Sequence, residues 1–310
     1  MTGFRTTRVG FFLLVILFLS PPAWGQKHRD LENIGHRDIT KGSLNLYSLE
    51  REIELGQSLA ARIESHSGLL RDARVEGYVD GLVQRLVRSS DAKVPFTVRV
   101  IDSDELNVYA LPGGFFYVNT GLILEAETEA ELAGLFAHEI AHVTARHTTR
   151  QLSRGELFQW MSLPLFFVGG GIASGVYQAL NVVVPLSYFK FRRDMEREAD
   201  FLGLQYAYQA GYDPTALIDI LERMKERQAQ ERVPLVFSTH PMTQDRVERA
   251  RREISQVLPP RADHVVTSSE FQKVKGHLKD ILQVDAGEEP GTRRGPRLRR
   301  RTQDGDEGTP

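Results

Sequence analysis

Cysteine is absent from the 310 residues, which excludes disulfides, thiolate metal sites and a lipidated lipoprotein signal. Any zinc site here has to be assembled from histidine and carboxylate. An excess of positive charge is missing as well. With 39 Lys and Arg against 41 Asp and Glu, the formal net charge is −2, which argues against a chain built to coat nucleic acid. No internal repeat is evident. What remains is the composition of an ordinary globular protein, 41% hydrophobic and 26% charged, with enough chain for one large domain or two modest ones.

Long apolar runs are scarce too. Near the N-terminus, Gly10 to Ser20 (GFFLLVILFLS) follows Arg5 and Arg8 and precedes Ala23 and Gly25. The run is short for a membrane span and has the flanks of a secretory signal. Residues 1–25 are therefore expected to be removed, leaving a mature chain that starts near Gln26. In a Gram-negative organism that chain would be periplasmic.

The rest reads as mainly helical with a small strand insert. Residues 26–45 are polar and expected to form a linker. Ser48 and Asp72 are placed to cap helices. Residues 95–102 alternate like a strand, and 107–120 read as two strands around a Gly113-Gly114 turn. Thr128 with Glu131 forms a capping box ahead of the next helix. The stretch DMEREADFLGLQYAYQAG is a further helix, stopped by Gly211 and Pro214. Three more helices are expected near 214–231, 243–257 and 268–283, and a disordered tail from Asp285. The Arg-rich RRGPRLRRR (293–301) in that tail is read as solvated, with no nucleic-acid partner.

The chemistry concentrates in AHEIAHVTARHTT (137–149). His138 and His142, at i and i+4, share one helix face and can aim both imidazoles at one ion. Glu139 is rotated about 100° from His138, so it can reach a water without binding the ion itself. Zinc lowers the pKa of water to about 7, and a carboxylate beside it can take the proton, which is the chemistry of peptide hydrolysis. His147 lies about 140° round a continuous helix from His142, so it is expected to be structural or solvent-facing. A third ligand has to come from elsewhere. In MEREAD (195–200), Glu196 and Asp200 share a face while Glu198 points about 200° away. One of that pair can ligate and the other can orient a ligand histidine; spacing does not say which. Ala199 and Gly203 would let this helix approach another closely.

An HExxH helix followed by ExxAD on a later helix resembles zinc metallopeptidase family forty-eight. Further segments match, among them NVYALPGGFFYVNTGLI (107–123), HVTARH (142–147), AGYDP (210–214) and STHPMTQDRVERAR (238–251), so the resemblance covers roughly residues 45–255. It implies an α+β, mainly helical, zincin-type domain over 46–284 with a small β-sheet packed on the HExxH helix, and one zinc ion per chain. By the same resemblance Glu196 is the third ligand, Asp200 its supporting partner and Glu139 the general base. Likeness to the soluble periplasmic branch adds His240 as an occupant of the fourth position, a reversible gate; Arg246 either anchors its loop to a carboxylate or is a plain surface arginine. Substrate is expected to lie as an added strand along the segment 114–119, the alternative being an ordinary hairpin with a buried aromatic pair.

The implied activity is a zinc endopeptidase acting on misfolded or unassembled envelope proteins; the alternative is a chaperone-like assembly factor for outer-membrane proteins with latent proteolysis. A purely structural metal would leave Glu139 without a task. Residues 157–189 contain no charge. His138 and His142 precede them, Glu196 follows, and all must meet at one ion, so a single crossing is excluded. About 33 residues are too few for two spans of about 20. The stretch is expected to be an apolar flap over the cleft, or to make peripheral membrane contact.

Overall fold

Helices here begin where a side chain can satisfy their first free N–H groups. Ser48 accepts from the Arg51 amide at the head of α1 (Leu49–His66), and Asp72 from the Arg74 and Val75 amides at the head of α2 (Ala73–Arg88). The computed structural model describes residues 31–167, 192–231, 240 and 244–287. The expected signal, the uncharged stretch beyond residue 167 and the Arg-rich tail lie outside those residues.

After α2 come β1 (Thr97–Ile101), β2 (Val108–Leu111), a 3₁₀ turn at Pro112–Gly114, and β3 (Phe115–Asn119). The helices that follow are α3 (Thr120–Glu125), α4 (Glu129–Thr144) and α5 (His147–Phe167). Beyond them are α6 over 192–209, then α7 (Ala216–Glu231), α8 (Gln244–Val257) and α9 (Ser269–Gly287). Among the described residues no helix is long and apolar enough to cross a membrane.

The sheet order is β1-β3-β2, with β1 parallel and β2 antiparallel to β3. Side chains on alternate positions of β3 face opposite layers. Phe116 and Val118 enter the main core, where the Phe116 ring meets Phe136 of α4 edge-on at 5.0 Å. Phe115 and Tyr117 face a smaller cluster with Ala60 and Ile63 of α1. The sheet is thus sandwiched between α1 and α4. The turn joining β2 to β3 needs its glycines, because Gly113 and Gly114 both adopt positive φ, 77° and 89°.

This order corrects the assignment of 114–119 as the substrate edge. That segment is the central strand, hydrogen-bonded on both sides, and it cannot accept another strand. Among the described residues the free edge on the α4 side is β2.

Helix α4 is buried along almost its whole length, packed by α2, β2 and α7. Its start follows the capping box with one variation. Thr128 Oγ1 accepts from the Glu131 amide, while the Glu131 carboxylate reaches past the cap to the Glu127 amide.

The polar segment expected to be a loose linker lies against the body from residue 31 onward. Asp91 accepts from the amides of Gly35 and Arg37, from the Arg37 guanidinium at 2.6 Å and from the Tyr206 hydroxyl at 3.0 Å. Ile39 joins the core.

Candidate metal centre

Two helices build the site. On α4, His138 and His142 stand one turn apart with their Nε2 atoms 3.1 Å from each other. From α6, Glu196 places Oε2 at 3.5 Å from His138 Nε2 and Oε1 at 3.7 Å from His142 Nε2. Four ligands about 2.0–2.1 Å from a tetrahedral zinc would stand about 3.3 Å apart. The observed separations bracket that value, and two imidazoles plus a carboxylate are a donor set that suits zinc. The residues present therefore fit a metal ion.

Spacing left Glu196 and Asp200 interchangeable, and the fold separates them. Glu196 joins the imidazole pair, whereas Asp200 Oδ1 sits 3.1 Å from Nδ1 of His138, on the ring's far side. The close approach of the two helices rests on Gly203. A Cβ there would fall 2.9 Å from the backbone nitrogen of His138, a backbone contact that cannot yield cheaply. Gly203→Ala is accordingly expected to cost about 1–3 kcal/mol of stability and to weaken metal binding by shifting Glu196. Urea unfolding and zinc titration of the variant check both; unchanged values would mean that the crossing has slack.

His240 completes a group of four with His138, His142 and Glu196, their ligand atoms all within 4.8 Å of one another. Its Nδ1 lies 2.8 Å from Glu196 Oε1, and its Nε2 lies 3.9 Å from Glu139 Oε1. Arg246, at the start of α8, ties the group together. Its Nε and Nη2 donate to the two oxygens of Asp200 at 2.8 and 2.7 Å. Its Nη1 donates to the His240 carbonyl at 3.1 Å and sits 3.2 Å from Glu196 Oε2. The expected link from Arg246 to a carboxylate is thus made, to Asp200.

Burial and these neighbours set the protonation of the metal-free site. Burial alone would depress His138, but its contacts with Asp200 and Glu196 carry its pKa to about 9. Burial pushes His142 well below the ordinary histidine range, against the pull of Glu196. For Glu196 the desolvation cost is overcome by His142 and by hydrogen bonds with His138 and His240, so it stays ionised far into acid. Asp200 is likewise held low, by Arg246. Burial raises the Glu139 carboxyl, opposed by His240 and His138. A cation entering this site has to displace the proton on His138.

The backbone amide of Ala110 is directed at the Glu139 carboxylate. Asn119 N donates to Asn107 O across the β3–β2 ladder. Residues 109 and 111 therefore spend their main-chain groups on β3, while Val108 and Ala110 turn theirs outward. The free edge of β2 thus borders the Glu139 side of the site.

Residues 71–254 match the description of Peptidase family M48. The chain belongs to that family. It is 30% identical over 246 residues to the beta-barrel assembly-enhancing protease of Escherichia coli K12, covering 75% of this chain and 49% of that protein. The putative protein of the same name in Vibrio cholerae is 31% identical over 246 residues, 73% of this chain and 50% of its own. The mitochondrial metalloendopeptidase OMA1 of Schizosaccharomyces pombe is 31% identical over 217 residues, 67% of this chain and 60% of its own. The chain thus spans about half the length of the first two. The His138, His142 and Glu196 cluster on α4 and α6 fits the metal site of a metallopeptidase of that family.

Of the two readings of His147, structural or solvent-facing, the structure supports the structural one. The residue is 3% exposed and its Nδ1 lies 2.8 Å from Nδ1 of His142. The wheel assumed one continuous helix, but α4 stops at Thr144 and Arg146 adopts φ 55°. This elbow starts α5 in a new direction and brings His147 back. Its strain, of order 1–2 kcal/mol, is offset by the contacts of the Arg146 guanidinium with Glu52 at 2.6 Å and with the carbonyls of Tyr47 and Ser48. Glu198, set aside as pointing away, reaches His147 Nε2 at 3.1 Å.

Proposed function

We propose that this M48 metallopeptidase is a zinc-dependent endopeptidase of the bacterial cell envelope that degrades misfolded or unassembled envelope proteins. The observation that carries the proposal is the convergence of two imidazoles, one carboxylate and the buried acid Glu139 beside the free edge of β2. Zinc bound by His138, His142 and Glu196 would supply Lewis acidity, acidifying water and polarising the scissile carbonyl. Glu139 takes the water's proton at its carboxylate and returns it to the leaving amine. Asp200 holds Nδ1 of His138 so that Nε2 keeps its lone pair for the ion. An extended, unfolded substrate pairs with the outward main-chain groups of Val108 and with the Ala110 carbonyl, which recognise backbone and not sequence. Preference for unfolded chains follows from that. Casein degradation by the mature chain, blocked by a chelator, tests the proposal; a zinc-loaded chain that cuts nothing, even with His240 replaced, would defeat it.

His240 acts as a reversible gate in this scheme. Its contacts with Glu196 and its nearness to Glu139 support a closed resting state. His240→Ala is expected to raise casein cleavage roughly tenfold, which corresponds to about 1.5 kcal/mol, the lower end for a hydrogen bond to a charged group. If the variant binds zinc but is inactive, His240 is a catalytic stabiliser and not a gate. The same closure favours a second reading, a chaperone-like factor for outer-membrane protein assembly with latent proteolysis, which would show no gain in this assay.

The signal-like sequence of residues 1–25 supports a periplasmic location. The uncharged composition of 157–189 supports peripheral contact with a membrane, which co-sedimentation of the mature chain with membranes, reversed by carbonate, would bear out and recovery in the soluble fraction without carbonate would refute.

A further inference from the structure

The imidazole of His142 faces the metal group with Nε2 and a second histidine with Nδ1. Only one proton can lie between the two Nδ1 atoms, 2.8 Å apart. On its other side His147 presents Nε2 to Glu198 Oε2 at 3.1 Å, where Arg150 Nη1 also donates at 3.0 Å. His147 and Glu198 are both almost fully buried, so water does not substitute for these partners.

The carboxylate end fixes the direction of the chain. Glu198 is paired with the Arg150 guanidinium at 3.0 Å, and as a carboxylate it can only accept. With His147 neutral, its proton must sit on Nε2, since otherwise a lone pair would face the carboxylate. Its Nδ1 is then an acceptor, and His142 must carry its own proton on Nδ1. That leaves Nε2 of His142 bare, the tautomer that can ligate an ion. The reverse order would put a proton on Nε2 of His142 and oppose a lone pair to Glu198 across a buried contact.

Resting on the metallopeptidase reading, we infer that His147, backed by Glu198 and Arg150, is a positioning residue that locks the metal-binding tautomer and ring orientation of His142. Asp200 does this for His138 through a carboxylate directly. For His142 the carboxylate acts at one remove, through an interposed imidazole. The elbow at Arg146 is what makes the interposition possible, because a continuous helix would carry His147 away. Two ligands four residues apart are thus supported by different kinds of partner, an acid on α6 for one and a histidine–acid pair for the other.

Two polar substitutions separate the links. His147→Asn keeps an acceptor near the Nδ1 position but gives up Glu198; His147→Gln can still donate to Glu198 but has no acceptor where His142 needs one. Zinc affinity of the full mature chain is measured by chelator competition, with the visible spectrum of the Co²⁺ form as a second readout of ligand geometry and the melting temperature of the metal-free form as the control for folding. Loss of a partner that orients a metal ligand weakens binding by roughly 10–100-fold. That loss and a changed Co²⁺ spectrum are expected for His147→Gln, while His147→Asn stays within about threefold of the parent. The inference is overturned if both variants bind like the parent, if both weaken equally, or if Asn weakens and Gln does not. Should neither variant fold, long-range ¹H–¹⁵N spectra of the unaltered zinc-loaded protein decide: His147 must be the Nε2–H tautomer and His142 the Nδ1–H tautomer, and any other pattern refutes the relay. A parent chain that holds no zinc removes the metallopeptidase reading itself and the relay with it, whereas a zinc-binding parent that cuts nothing leaves the relay standing.

Discussion

Glu139→Gln is expected to lower peptide hydrolysis by about 10²–10⁴-fold, the range for loss of a general base, while zinc content and substrate affinity stay unchanged. Glutamine keeps the shape of the side chain, and its carbonyl can still accept from the Ala110 amide that faces Glu139. What it loses is the ability to take a proton. Glu139 is 4% exposed and burial raises its carboxyl, which moves it from an ordinary surface acid toward the strength that proton transfer near neutral pH requires. Parallel measurement of kcat, KM and bound metal checks the expectation. Activity above about a tenth of the parent's, against the 10²-fold minimum for such a base, would remove Glu139 from the role. A loss of zinc would instead make it part of the metal's surroundings.

The second large effect is on stability. Arg246 is buried and faces Asp200 and Glu196 together, with its own pKa raised by them against the cost of burial. Arg246→Met preserves bulk but leaves two buried carboxylates short of a cation. Breaking a buried ion pair from one side costs about 3–5 kcal/mol, so the metal-free variant is expected to lose that much in urea unfolding. Zinc should return part of it, because an ion held by Glu196 replaces one of the two charge contacts. If the loss is no more than the roughly 0.5 kcal/mol of a surface substitution, or zinc returns none of it, the charge balance described for this cluster is wrong.

Much of this site is legible in the sequence because its parts obey local rules. His138 and His142 are one helical turn apart, Glu196 and Asp200 are one turn apart, and Ser48, Asp72 and Thr128 mark the helix starts they cap. The small residue at 203 announces a close crossing. What escapes is non-local. Whether β3 is an edge or a centre depends on where β1 pairs, and nothing within 114–119 encodes that. Arg37 looks like any polar residue of a linker until Asp91, 54 positions on, is brought beside it. The contact of His147 with His142 is likewise hidden, since a 3.6-residue wheel is valid only while the helix lasts. An arginine at positive φ is uncommon, and only the remote Glu52 and the Tyr47 and Ser48 carbonyls make it favourable here.

That elbow couples distant parts of the protein. Glu52 holds Arg146 and also accepts from Thr149, while Asn45 and Leu46 bond to Thr149 and Ser153 on α5. Residues 45–52 and the first turns of α5 therefore act as a lever whose short arm ends at His147. A tether, an antibody or a neighbouring subunit pulling on Tyr47 would load the same joint that holds His147 against His142, so the N-terminal flank is a poor place to attach anything.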